Sequence, residues 1–208
     1  MHIHKTGKAG GRFAFPVLLS VIMVFFITAA FYGCGRHVVP FAGKKAGKNL
    51  VTTWCTAPQL VEPGNMPPAP GLADNTLRQV MRVSLGGKSL SLRLSNEFSS
   101  GPVELNAVQI AVSAGGSKID PATIKELKFS GKSEVTINPG SAVSSDPVSF
   151  DLKPRSDIAV TISFGAVPQD ITGHPGSRTT SYILAGNNIM SADFPEAVTT
   201  DHWYFSVR

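Results

Sequence analysis

From Val148 to Phe164 the chain places its apolar residues on even numbers: Val148, Phe150 and Leu152 in VSFDL, then Ile158, Val160, Ile162 and Phe164 in IAVTISF. Successive side chains of a strand point to opposite faces, so a period of two makes each run a half-buried strand. The intervening KPRSD is turn chemistry. No stretch after Lys48 keeps a helical period over an ordinary helix length of about 11 residues. The remaining apolar runs, from Val51–Thr56 to HWYFSV, are equally short and are broken by Gly, Pro, Asn and Asp. About nine short strands at this spacing predict an all-β fold, an antiparallel two-sheet β-sandwich of jelly-roll type.

Asn75–Phe98, NTLRQVMRVSLGGKSLSLRLSNEF, reads as a β-hairpin about Gly86-Gly87. A two-residue turn there pairs Leu85 with Lys88, Val83 with Leu90, Met81 with Leu92 and Gln79 with Leu94. Leu77, Met81, Val83, Leu85, Leu90, Leu92 and Leu94 then share the core face, while Arg78, Arg82, Ser84, Ser91, Arg93 and Ser95 take the other. On that second face Arg78, Arg82 and Arg93 are placed to form a guanidinium ladder. In VELNAVQIAVS the apolar parity shifts between Leu105 and Val108, the mark of a bulge, and Gly131-Lys132 marks a tight turn. APQLVEPGNMPPAPGLADN is too proline-rich to continue a sheet.

The N-terminus has a different composition. Lys5, Lys8 and Arg12 precede a run without charge from Phe13 to Gly35, a basic region followed by an export-type apolar segment. Cys34 between Gly33 and Gly35 is similar to a bacterial lipoprotein processing site. The run is also long enough to span a bilayer as an uncleaved anchor helix. Both alternatives export the rest of the chain and hold it at a membrane. The organisation is thus a leader or anchor at 1–34, a flexible Gly/Lys tether at 35–50 and a β-sandwich domain at 51–208. Seven of the 19 Lys/Arg precede Leu50, leaving 12 against all 14 acidic residues, so the formal +5 does not make the domain basic. A nucleic-acid role has no electrostatic support.

Familiar catalytic and metal patterns are missing. Outside the leader the histidines are His37, His174 and His202, with Asp170 and Asp201 the local acids; no metal-ligand spacing and no Walker pattern occurs, and no cofactor is expected. Cys55, in VTTWCTAP, is expected to be a buried, unreactive thiol. Trp54 and Trp203 are expected in the core, with stacking on a sugar ring as the functional alternative.

Three blocks, TLRQVMRVSLGGKSLSLRLSNEF, VTINPGSAVSSDPVSFDLKPRSDIAVTISF and TGHPGSRTTSYILAGN, resemble in this order the N-terminal β-sandwich domain of secreted bacterial SGNH (GDSL-type) hydrolases. The resemblance runs from about Trp54 to Phe205. In that family a following α/β/α domain carries the chemistry, on a Gly-Asp-Ser block and an Asp-x-x-His block. Neither block occurs here, so no catalytic residue carries over. The resemblance implies a non-catalytic part of a surface-anchored esterase acting on glycans or lipids. His174, Arg178 and Tyr182 in the third block, and Arg78, Arg82 and Arg93 on the hairpin, are the candidates for contacting a ligand or the catalytic domain. The alternative is a stand-alone carbohydrate-binding surface lipoprotein. If a neighbouring domain normally covers one face, the domain alone is expected to be marginal, with Trp203–Val207 its least protected strand.

Overall fold

The computed structural model describes residues 50–205. The leader, Cys34, the anchor helix and the tether up to Asn49 therefore lie outside the described residues. Within them the chain is all-β. Its strands are β1 (Gln59–Leu60), β2 (Thr76–Arg82), β3 (Gly87–Leu90), β4 (Arg93–Asn96), β5 (Val103–Gly115), β6 (Lys118–Ile119), β7 (Lys125–Leu127) and β8 (Val135–Ile137). They continue with β9 (Ser141–Ser144), β10 (Val148–Leu152), β11 (Asp157–Phe164), β12 (Thr172–His174), β13 (Ser181–Leu184), β14 (Val198–Thr200) and β15 (Trp203–Tyr204). The only helical turns among the described residues are short 3-10 turns at Pro63–Asn65 and Pro121–Thr123.

An eight-stranded antiparallel sheet runs β14-β13-β2-β11-β5-β6, and the free edge of the long β5 carries β8, β7 and β6 one after another. Smaller sheets pair β3 with β10, β4 with β9, and β12 with both β1 and β15. The even-numbered residues of β11, Ile158 to Phe164, join Leu77 and Met81 of β2 and Val108 and Ile110 of β5 in one core cluster. Leu92 and Leu94, Phe150 and Leu152 of β10, and Tyr204 and Phe205 close it from the small sheets. The result is a sandwich-like packing of curled antiparallel sheets around one main core, with a smaller apolar cluster of Ala111, Ile119 and Ala159 beside it. The even-numbered residues of VSFDL and IAVTISF do face the core, but IAVTISF is not half-buried: Ala159, Thr161 and Ser163 on its other face are each 1% exposed, because the central strand is covered on both sides. The two strands do not pair with each other, since the KPRSD turn carries the chain from the β3–β10 pair into the large sheet.

The expected bulge in β5 is present, since Ser163 faces Ala107 and Phe164 faces Leu105, leaving Asn106 without a counterpart. The tight turn is one residue earlier than expected, at Ser130 (φ 54°) and Gly131 (φ 83°), where Phe129 and Lys132 bridge.

The hairpin about Gly86-Gly87 does not form. β2 pairs with β11 and β13, whereas β3 pairs with β10 and β4 with β9. Neither glycine takes the left-handed conformation of a tight hairpin turn. Gly86 serves close approach instead: a Cβ there would lie 2.6 Å from the Leu152 carbonyl oxygen and 2.9 Å from the Pro154 ring. The pair marks a corner where the chain passes between sheets. Leu85 at this corner is 49% exposed rather than in the core. Val51–Thr56 forms no strand; the first strand is Gln59–Leu60, inside the proline-rich segment, where Thr172 and Gly173 of β12 supply its partner. The terminal strand is also better covered than expected, because Trp203, Tyr204 and Phe205 are all buried.

Candidate functional site

The polar side chains with the most connections lie on the face of the large sheet turned away from the core formed by Leu77, Met81 and the even-numbered residues Ile158 to Phe164. Cross-strand registers set Tyr182, Arg78, Thr161 and Gln109 in one row across β13, β2, β11 and β5. Arg78 is completely buried. Its Nε donates to Thr161 Oγ1 at 2.9 Å, Nη1 to the Ser117 carbonyl at 2.6 Å, and Nη2 to the Ser191 carbonyl at 2.6 Å. Its guanidinium carbon stands 3.9 Å from the centre of the Phe194 ring, a cation–π contact. Burial lowers the Arg78 pKa to about 10, with Asp193 opposing the shift, so the group stays charged at neutral pH. Gln109 Nε2 donates to the Ile189 carbonyl, and Thr76 Oγ1 donates to the Gly186 carbonyl at 2.7 Å. Side chains of the sheet thus hold the backbone of the 186–194 loop. This buries a charge among carbonyl acceptors, and the charge is satisfied without reaching solvent. Arg78 is therefore internal scaffolding and does not stand on an open face.

The ladder expected of Arg78, Arg82 and Arg93 does not form, because its hairpin is absent. Arg82 makes a bidentate pair with Asp157, 2.9 Å at both contacts, between side chains 71% and 40% exposed. This contact raises the Arg82 pKa and lowers that of Asp157. An exposed pair contributes little in water, so Arg82→Gln is expected to leave the urea midpoint unchanged within error. Arg93 lies in the β4–β9 pair, 3.9 Å from Glu97.

The third block is divided as well. Tyr182 is half-buried beside Arg78 on the large sheet, and Arg178 is exposed in the preceding loop at φ 56°. His174 instead faces Trp203 across β12 and β15, its ring stacked 6.0 Å from the indole, while Trp54 meets the same indole edge-on at 4.5 Å. Trp203 is core, as expected, and Trp54 is half-buried against it. The Trp203 Nε1 is buried with no partner among the described residues, sealed from anything that could bind at the surface.

Neither described histidine stands as a general base beside a serine. His174 Nδ1 lies 2.9 Å from the Ala57 carbonyl, which only accepts, so that nitrogen carries the proton. His202 Nδ1 accepts from the Gly176 N–H at 2.9 Å, so Asp201, 3.2 Å from the same nitrogen, faces a lone pair. Asp170 is engaged elsewhere: its carboxylate accepts from the Ser100 hydroxyl and N–H, which lowers its pKa. Cys55 is exposed and free, contrary to expectation, because its segment forms no buried strand. No group of three or more potential metal ligands occurs among the described residues.

The residue that sequence reasoning missed is Gln79. It is buried on the inner face, where its Nε2 donates to the Tyr204 carbonyl at 3.2 Å and its Oε1 accepts from the Tyr204 N–H at 2.8 Å. A single amide thus ties the terminal strand to the large sheet. Its signal was available, since Gln79 has the core-face parity of Leu77 and Met81. Gly173 completes the arrangement: a Cβ there would lie 2.5 Å from Val61 Cγ2 and 2.8 Å from the Trp203 carbonyl oxygen. An open groove of about 210 Å³ near Leu72, Val167, Pro168 and Ile171 has no ionisable side chain in its lining. It is smaller than an ordinary ligand pocket of about 300–1,000 Å³.

Scanned against protein-family models, the sequence matches none. A search of curated proteins also finds no match.

Proposed function

We propose that this chain is the non-catalytic N-terminal β-sandwich part, jelly-roll in type, of a surface-anchored SGNH (GDSL-type) esterase that removes acyl groups from glycans or lipids. One observation carries the reading: the three blocks that resemble the hydrolase domain interlock. The first supplies β2, β3 and β4, the second β8 to β11, and the third β12 and β13. The pairings β2–β11, β2–β13, β3–β10 and β4–β9 each join one block to another. The three likenesses therefore fall within one folded module, as a likeness to a whole domain requires. The most connected polar residues, Arg78 and Gln79, hold backbone and act as scaffold in this reading. The apolar run before Gly35, or a lipid on Cys34, keeps the module at the periplasmic or outer surface of a bacterial membrane. The full chain is expected not to hydrolyse p-nitrophenyl acetate or butyrate. Serine-dependent turnover that survives repurification would overturn the reading.

A stand-alone carbohydrate-binding lipoprotein is the second reading, and the half-buried Trp54 and His174 against Trp203 favour it, since a partly exposed aromatic ring can stack its face on a sugar ring. Micromolar, saturable polysaccharide binding in calorimetry, lost in Trp54→Ala, would select this reading over the first.

A further inference from the structure

Two turns meet at the end of the large sheet where Arg82 pairs with Asp157. The close approach of Gly86 to Leu152 and Pro154 holds the 83–87 corner against the 153–156 turn. The incoming chain is fastened to the same place. The Ser84 N–H donates to the Thr53 carbonyl at 3.0 Å, the Leu85 N–H donates to Thr53 Oγ1 at 2.8 Å, and that hydroxyl donates to the Leu85 carbonyl at 2.8 Å. Leu85 is 49% exposed here, and Val51 and Leu50 are 63% and 74% exposed. At no more than ~3.6 Å per residue, both lie within about 11 Å of Thr53.

Charge is concentrated at this end too. Between 82 and 88 and between 151 and 157 stand Arg82, Lys88, Lys153 and Arg155 against Asp151 and Asp157, a balance of +2. Of the 12 basic and 14 acidic residues from Leu50 onward, this leaves 8 against 12, or −4, for everything else. The positive end is therefore the one where the chain enters. Lys88 and Lys153 both pair with Asp151, but through side chains 85% and 70% exposed, which other oxyanions in the surrounding solvent can reach.

We infer that this end of the domain rests on an anionic lipid surface, with Leu85 and Val51 in the headgroup–acyl boundary and Lys88, Lys153 and Arg155 over the lipid phosphates. A single exposed leucine means little by itself. Here it stands on turns whose charged residues balance to +2 and is stapled to the chain entry, and only the fifteen residues Arg36–Leu50, with Lys44, Lys45 and Lys48 among them, separate that entry from the uncharged run ending at Gly35. Their reach is at most ~54 Å, so an anchor in the bilayer keeps this end at high local concentration near lipid. Apolar contact and basic charge then add to a weak, composition-sensitive association.

The inference rests on the anchored reading of the leader, and the experiment separates the two. An environment-sensitive fluorescent amino acid is incorporated into the full chain at position 85 or, as a control at the opposite end of the sheet, at position 166. Flotation with vesicles reports anchoring, and emission with quenching by spin-labelled lipid reports docking. The expected result is flotation of both, with a blue shift and quenching at 85 alone. That signal should appear in phosphatidylglycerol-containing vesicles and vanish in pure phosphatidylcholine and in the triple variant K88E/K153E/R155E. Flotation with position 85 as wet as position 166 would overturn the docking and leave the anchor standing. Failure to float would overturn both. Equal signal in phosphatidylcholine would remove the assignment to anionic lipid, and a shift that rises with protein concentration without vesicles would assign the surface to a second copy of the chain.

Discussion

Replacing Arg78 with alanine is expected to cost about 3 kcal/mol of stability and to release the 186–194 loop from the sheet. The Ser117 and Ser191 carbonyls each accept from this one side chain at 2.6 Å, and Phe194, 2% exposed, packs on it. A buried acceptor left without its donor costs about 1–3 kcal/mol, and at least two are orphaned together. Opening the loop to water limits the loss, so the damage should be local as well as global. Arg78→Met keeps length and apolar bulk without the donors and should lose nearly as much. Arg78→Lys should not rescue, because one ammonium cannot span the fork of acceptors that the guanidinium meets. Urea denaturation with hydrogen exchange over Asn188–Phe194 checks this. An unchanged midpoint with an unchanged loop would show that Arg78 is dispensable.

The second large effect is expected at Gln79. Gln79→Leu leaves the Tyr204 N–H and carbonyl without partners inside a residue that is 0% exposed, about 1–3 kcal/mol for each group. Gln79→Glu should be worse, since a buried carboxylate still accepts from the N–H but opposes the carbonyl with negative charge. In the wild type, Trp203–Phe205 should exchange about as slowly as Ile158–Phe164. In Gln79→Leu the terminal segment should become fast while the central strand stays slow. Equal protection of Trp203–Phe205 in both proteins would mean that packing of Tyr204 and Phe205, and not the amide, holds the strand.

The strands were legible because their signal is local. VSFDL and IAVTISF alternate over enough residues to fix which side chains face the core, and the parity shift after Leu105 marked the bulge at Asn106. Pairing was not legible, because it is settled by residues far away in sequence. Gly86-Gly87 has the composition of a hairpin turn, and nothing nearby reveals that Leu152 and Pro154 crowd Gly86 and that β2 has better partners in β11 and β13. The misplacement of Arg78 follows from the same limit. Alternation put it correctly on the second face of the sheet, but the loops that cover that face come from residues 117 and 186–194. A polar parity cannot distinguish water from another stretch of backbone. For the candidate site, the cross-strand pair of His174 and Trp203 depended on a short three-stranded sheet whose members are too brief to show periodicity.

The central claim, a scaffolding module without a nucleophile of its own, is tested most directly by a probe that needs no knowledge of substrate. The folded full chain is incubated with a fluorophosphonate and its intact mass is measured, beside a heat-denatured control. The account predicts no adduct in either sample, because neither described histidine is placed to activate a serine. A stoichiometric adduct on one serine, formed in the folded protein and absent after denaturation, would contradict it.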